Sequence, residues 1–323
     1  MKRREFITLL GGAAAAWPLA ARAQQAGRSY RLGILSFVPR GMPQHAAFLD
    51  ELRKLGFIEG HNLAVEGYFG LNRAELFAKA SELSRTGVDA IQVSGGGVAV
   101  RTAQQATTNI PINGIADDMV GEGLVRSLAN PGGNTTGISI LAPELDGKRQ
   151  ELLTELLPKA RRIGVLADLR ITAPSQLQTL RSAATARGID LSIHAVDGPE
   201  EIVPAINAAN AARVDGLNVL AASLFSMNQM VIIERTAALR LPAVYQWPEM
   251  AKQGGLIAYG PSRDQMYRRS ARLAAKILQG AKPADVPVEQ PTIIEFVINL
   301  KTAKSLGLDV PASVLARADE VVE

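Results

Sequence analysis

The chain has 323 residues, a formal net charge of +4 and no cysteine, which excludes a disulfide framework and a lipid-anchored N-terminal cysteine. Lys2, Arg3, Arg4 and Arg22 fall within the first 23 positions against a single acid, Glu5, so the rest of the chain is nearly neutral. That removes the electrostatic basis for gripping a phosphate backbone, and no nucleic-acid partner is expected.

The first element is an export signal. Lys2-Arg3-Arg4-Glu5-Phe6-Ile7 precedes an apolar stretch from Ile7 to Ala16, and Ala21-Arg22-Ala23 supplies a small-x-small cleavage site. The stretch is shorter than the roughly 20 residues of a membrane span, so cleavage near Ala23, before Gln24, and a periplasmic destination are expected. The paired arginines resemble the twin-arginine export signal of bacteria. The mature chain is about two domains long, with no later segment of spanning length.

From Tyr30 onward, short apolar runs alternate with longer amphipathic ones, the pattern of an α/β fold. Strands are expected at 31–35, 63–69, 90–93, 112–116 and 136–141, and helices at 44–55, 73–85, 98–107 and 120–128. A second series reads as helices at 145–157, 174–187, 199–212 and 228–239, with strands at 162–167, 191–196, 216–220 and 243–246. A strand at 256–259, a long helix at 263–278 and a strand at 292–299 complete the two. Runs this apolar fit parallel strands covered on both faces, so two doubly wound lobes are expected. Lobe 1 is expected to comprise residues 28–142 and 255–283, and lobe 2 residues 143–254 and 284–323. The chain then crosses between lobes three times, forming a hinge able to close on a ligand.

Several stretches carry a family likeness: Leu55-Gly56-Phe57-Ile58-Glu59-Gly60-His61-Asn62, Leu128-Ala129-Asn130-Pro131-Gly132-Gly133-Asn134-Thr135-Thr136-Gly137, Leu141-Ala142-Pro143-Glu144-Leu145-Asp146-Gly147-Lys148-Arg149 and Gly255-Leu256-Ile257-Ala258-Tyr259-Gly260-Pro261-Ser262. From about Arg28 to its end the chain resembles the substrate-binding proteins of bacterial ABC importers, in the group whose characterised members take up tryptophan or tyrosine. The resemblance implies a type I periplasmic-binding fold, with ligand held between the lobes and a membrane permease as partner. Where that family often has Gly-Asp-Pro after the fourth strand this chain has Ala116-Asp117-Asp118, and where it often has Thr-Gly-Thr after the third it has Ser94-Gly95-Gly96.

Ligands of open parallel sheets sit beyond the carboxyl ends of the strands. That places Ser36, Phe37, Ser94, Gly95, Gly96, Ala116, Asp117, Ser139, Asp168, Ser223, Tyr245, Trp247 and Tyr259 in the candidate binding set. The Ser94-Gly95-Gly96-Gly97 turn opens a helix and suits a ligand carboxylate; otherwise it is a tight turn that needs glycine. Asp117 suits a ligand ammonium or hydroxyl, and Asp118 a helix cap. Tyr245 and Trp247 share a face, for ligand stacking or for the core. His45, His61 and His194 are scattered, so neither metal nor cofactor is expected. A monomeric solute receptor binding a small organic molecule, an amino acid or an aromatic or carboxylated compound, is the expected function. The alternative is a periplasmic α/β enzyme using Asp117 or Asp168 as acid or base, but no catalytic constellation accompanies either.

Overall fold

The computed structural model describes residues 28–323, so the export signal expected over residues 1–23 lies outside the described residues. The first sheet contains β1 (Tyr30–Ser36), β2 (Leu63–Tyr68), β3 (Ala90–Ser94), β4 (Ile112–Ala116) and β5 (Thr135–Ser139), all pairs parallel, in the order β2-β1-β3-β4-β5. Every residue of β3, β4 and β5 is buried, because helices cover both faces. Edge strand β2 is more open.

The second sheet contains β6 (Arg162–Asp168), β7 (Asp190–Val196), β8 (Gly216–Val219), β9 (Ala243–Tyr245), β10 (Ile257–Pro261), β11 (Ile294–Asn299) and β12 (Glu320–Val322). Its order is β12-β11-β10-β9-β8-β6-β7, parallel except where β11 runs against β10. The architecture is therefore the expected pair of α/β lobes.

The helix Arg263–Leu278 returns to the first lobe. Its buried Met266, Tyr267, Ser270, Ala271, Ala274 and Ile277 recur at helical spacing and form one apolar face. That face packs against the helix Pro43–Lys54 and the first sheet. A buried polar group fixes the docking: Asn113 Nδ2 donates to the Ser270 carbonyl at 2.8 Å, and the Ser270 hydroxyl donates to Gln92 Oε1 at 3.0 Å. Buried polar groups hold a structure in register when paired, as the Asn113 Nδ2, Ser270 and Gln92 Oε1 groups are.

Two expectations about the lobes are corrected. The strand expected at 256–259 was assigned to lobe 1, yet β10 hydrogen-bonds to β9 and β11 in the second sheet. Chain segment 284–289, assigned to lobe 2, extends the first sheet instead: Glu289 N donates to the Gly137 carbonyl and Ser139 N to the Glu289 carbonyl, both at 2.9 Å. The crossings accordingly fall at Ile140–Leu141, at Pro261–Ser262 and after Glu289. At the first of them Leu141 holds a left-handed backbone, φ 61° and ψ 36°, a conformation that costs a branched residue about 1–2 kcal/mol.

The helix expected at 120–128 is absent. Residues 119–126 form successive turns and bends: Asp118 Oδ1 accepts from the amides of Val120 and Gly121 at 3.2 and 2.9 Å, as a helix cap would, but the turn it opens goes no further than Gly123, whose φ of +65° is left-handed.

Candidate functional site

The carboxyl ends of β1, β3 and β4 face those of β6, β7 and β8 across a cavity of about 460 Å³. The first lobe contributes Phe37, Gly95, Gly97, Val98, Asp117 and Glu122, and the second contributes Asp168, Arg170, Asp197, Ser223, Leu224 and Met227. A smaller space of about 80 Å³ continues it beside Ser94, Gly96 and Tyr267.

The turn after β3 brings the lobes together. Gly96 has φ +74°, a left-handed conformation that favours glycine, and a Cβ there would lie 2.3 Å from Ser223 Oγ of the opposite lobe. Gly95 lies under Phe37, whose ring would come within 2.8 Å of an added Cβ. Glycines at this turn therefore serve close approach, by a ring on one side and by the other lobe on the other.

Gly97 answers the question of the ligand carboxylate. A Cβ on Gly97 would sit 1.5 Å from Glu122 Oε2, so the space at this helix N-terminus is filled by the chain's own carboxylate. Glu122 Oε1 accepts from the Asp118 amide at 3.1 Å. Burial pushes the Glu122 carboxyl above its ordinary range. Beside it, Asp117 is surrounded by protein on most sides but keeps a window on the cavity. Desolvation, and then the negative charge of Glu122, push its carboxyl up to about 7.

On the opposite wall Asp168 and Arg170 form a two-pronged pair, with Nε to Oδ1 at 2.8 Å and Nη2 to Oδ2 at 2.6 Å. Behind this wall lies a second pair, Asp146 with Arg149, fully buried. Asp146 accepts from the Ala221 amide at 3.1 Å and from Gln176 Nε2 at 2.5 Å, while Arg149 Nη1 donates to the Tyr259 carbonyl at 2.9 Å. The pair thereby ties the end of β8, which leads to the cavity's Ser223, to β10 at one rigid point.

Of the residues expected from sequence, the structure brings Phe37, Ser94, Gly95, Gly96, Asp117, Asp168 and Ser223 to these two cavities. The others lie elsewhere. Ser36 is buried against His45 Nε2 at 3.1 Å and closes the turn at Val38. Ala116 is part of the first lobe's apolar core. Ser139 accepts from the Met119 amide at 3.1 Å, behind the Asp117 turn. Tyr245 is 1% exposed, with its hydroxyl 2.7 Å from Thr236 Oγ1, and desolvation raises its phenol. Tyr259 packs against Phe296 within the second lobe. Trp247 is 6% exposed; its Nε1 donates to Ser226 Oγ at 2.5 Å and its ring carries the Arg263 guanidinium 4.7 Å from its centre. The indole is thus held between Ser226, at the edge of the smaller space, and Arg263, at the start of the returning helix, and it lines neither cavity.

Sequence reasoning missed Glu122, Arg170 and Asp197. Glu122 stands in Gly121-Glu122-Gly123, where two glycines argue against the helix assumed there. Arg170 stands two positions after the strand-end Asp168, a spacing that lets the pair close locally.

Two α/β lobes joined by three crossings, with a cavity lined from both sides, define the class of two-lobed solute-binding proteins. The chain belongs to the ABC transporter substrate binding protein family, whose model matches residues 42–322. A tyrosine-binding protein from Clostridioides difficile is 27% identical over 212 residues, covering 65% of this chain and 61% of that one. A crystal structure of a conserved domain protein from Vibrio cholerae superposes with TM-score 0.82 at 26% identity, over 91% of this chain and all of that one. A domain from Streptococcus pneumonia in complex with L-Trp gives TM-score 0.81 at 24% identity over the same shares, a likeness of fold.

Proposed function

We propose that this protein is the solute-binding component of an ABC importer, exported to the periplasm with its signal peptide removed, where it encloses a small organic solute between its lobes and presents it to a membrane permease. The observation that carries the reading is the cavity of about 460 Å³ whose walls come from strand ends of both lobes. Only a change in the lobes' relative position opens or shuts such a space, so binding and closure are one event. Three backbone crossings supply the hinge. The reading is of a binder acting as a monomer and not of an enzyme: Asp168 is held by Arg170, and Asp117 lies beside Glu122 and Gln246.

A thermal-shift screen of the purified protein against amines, amino acids, carboxylates and sugars tests it. Ligand bound only by the folded state raises the melting temperature by mass action, by about 2.7 kcal/mol of added stability at a hundredfold excess over Kd. X-ray scattering with and without the hit should then show compaction. A hit that leaves the scattering curve unchanged would count against closure.

A further inference from the structure

Charge in the cavity is one-sided. Four carboxylates line it, those of Asp117, Glu122, Asp168 and Asp197, and among the described lining residues the one cation is Arg170. Arg170 is already engaged by both oxygens of Asp168 and also faces Asp197 and Glu200. Its guanidinium is therefore compensated within the wall.

What is left is a pair of acids flanking the first turn of the helix Gly96–Ala106. Such a turn, entered through glycines, is ordinarily a seat for an incoming anion. Here Glu122 occupies the seat, fitted against Gly97, and Asp117 Oδ2 lies 3.8 Å from where a Gly96 Cβ would stand. The other groups around the pair are Arg101, which donates to the Glu122 backbone carbonyl, Asp118 through its amide, the compensated Asp146–Arg149 pair, and Gln246. Gln246 is 4% exposed; its Nε2 makes no well-formed hydrogen bond but lies near the Asp117 carboxylate, whose charge it favours. A ligand carboxylate brought here would meet two carboxylates, whereas a cation would relieve their mutual repulsion. Phe37, Leu71, Val98, Leu224 and Met227 offer apolar surface for the rest of a solute.

We infer that the cavity selects a small organic cation, a solute whose ammonium or amidinium group sits between Asp117 and Glu122, and disfavours solutes that bring a carboxylate to that helix end. The inference rests on the solute-receptor reading above and narrows it. Glu122 is then the residue that sets specificity, because it both fills the anion seat and supplies the second negative charge.

The test compares molecules that differ only in these charges: tyramine, L-tyrosine and 3-(4-hydroxyphenyl)propionate as one series, and agmatine with L-arginine as another, with glucose as a neutral control. Calorimetry on the purified protein should show tyramine or agmatine binding roughly tenfold or more tighter than its carboxylated counterpart, with the propionate not binding. Glu122→Gln should lower the cation's affinity by about tenfold or more and shrink the preference over the zwitterion. Gly97→Ala, which drives the Glu122 carboxylate from its seat without removing it, should do the same, so either variant decides if the other fails to fold. Equal binding of amine and amino acid, or unchanged cation affinity in a folded Glu122→Gln protein, overturns the inference. Binding of carboxylates or glucose with no cation bound also overturns it but leaves the receptor reading standing. No binding by any class overturns both.

Discussion

Replacing Asp117 by Asn should make the protein more stable, and the gain should grow with pH. The native carboxyl titrates near 7 because burial and Glu122 oppose its charge, against 3.8 for an unhindered aspartate. Between these values the folded state holds a proton that the unfolded chain has released. Stability therefore falls as pH rises through that window, by about 1.36 kcal/mol per unit, and is level above it. From pH 5 to pH 8 the ionisation should cost at most about 2.7 kcal/mol, and about half of that once water in the cavity screens the half-buried group. Asn has nothing to ionise. Urea unfolding of both proteins at pH 5 and pH 8 should thus show the stability difference between Asp117→Asn and the parent growing by about 1–3 kcal/mol toward Asn at the higher pH. A change of less than about 0.5 kcal/mol, or of opposite sign, would mean that the carboxylate is already compensated in the empty protein, and the reasoning from burial would be wrong.

Trp247→Ala should cost about 3–5 kcal/mol of folding stability while leaving solute affinity of the folded fraction unchanged, measured by urea unfolding and calorimetry on the same variant, since the indole is buried, held by Ser226 and Arg263, and lines neither cavity. Arg149→Leu leaves Asp146 as an uncompensated buried charge and should destabilise by about 3–5 kcal/mol, whereas the double replacement Asp146→Leu with Arg149→Leu should recover part of the loss in the same unfolding assay. Protein recovered from the periplasm should begin at or near Gln24 by N-terminal sequencing; an intact Met1 chain in the membrane fraction would refute cleavage.

The elements were legible where local rules suffice. The expected helix 263–278 matches the observed one residue for residue, because its apolar face repeats at helical spacing between turn-forming ends. Partnership between strands was not legible in the same way. The run at 256–259 is apolar on both faces, which says that it is buried but not in which sheet; that was decided by bonds to β9 and to β11, the latter some 40 residues away in register. The stretch 120–128 failed for a local reason. Its apolar spacing suits a helix and Asp118 caps a first turn, but Gly123 takes a left-handed backbone that ends it, and two glycines within three positions weaken any continuation. For the site, reasoning from strand ends found the loops, yet it did not fix which way side chains point. Tyr245 and Trp247 do share one environment, an apolar cluster inside the molecule, whereas Glu122 reaches the cavity from a turn whose apolar spacing had suggested a helix.

The triple crossing has a consequence for biogenesis. When residues 28–140 have left the ribosome, the first sheet has all five of its strands but lacks the helix 263–278 that covers one face and the 286–289 segment that borders β5. Asn113 and Gln92 still await Ser270. The second lobe, too, lacks β11 and β12 until the chain is nearly finished. Neither half can be completed as it emerges, so the apolar face that the helix 263–278 covers stays open until that helix has been made, the condition under which nascent chains are prone to aggregate.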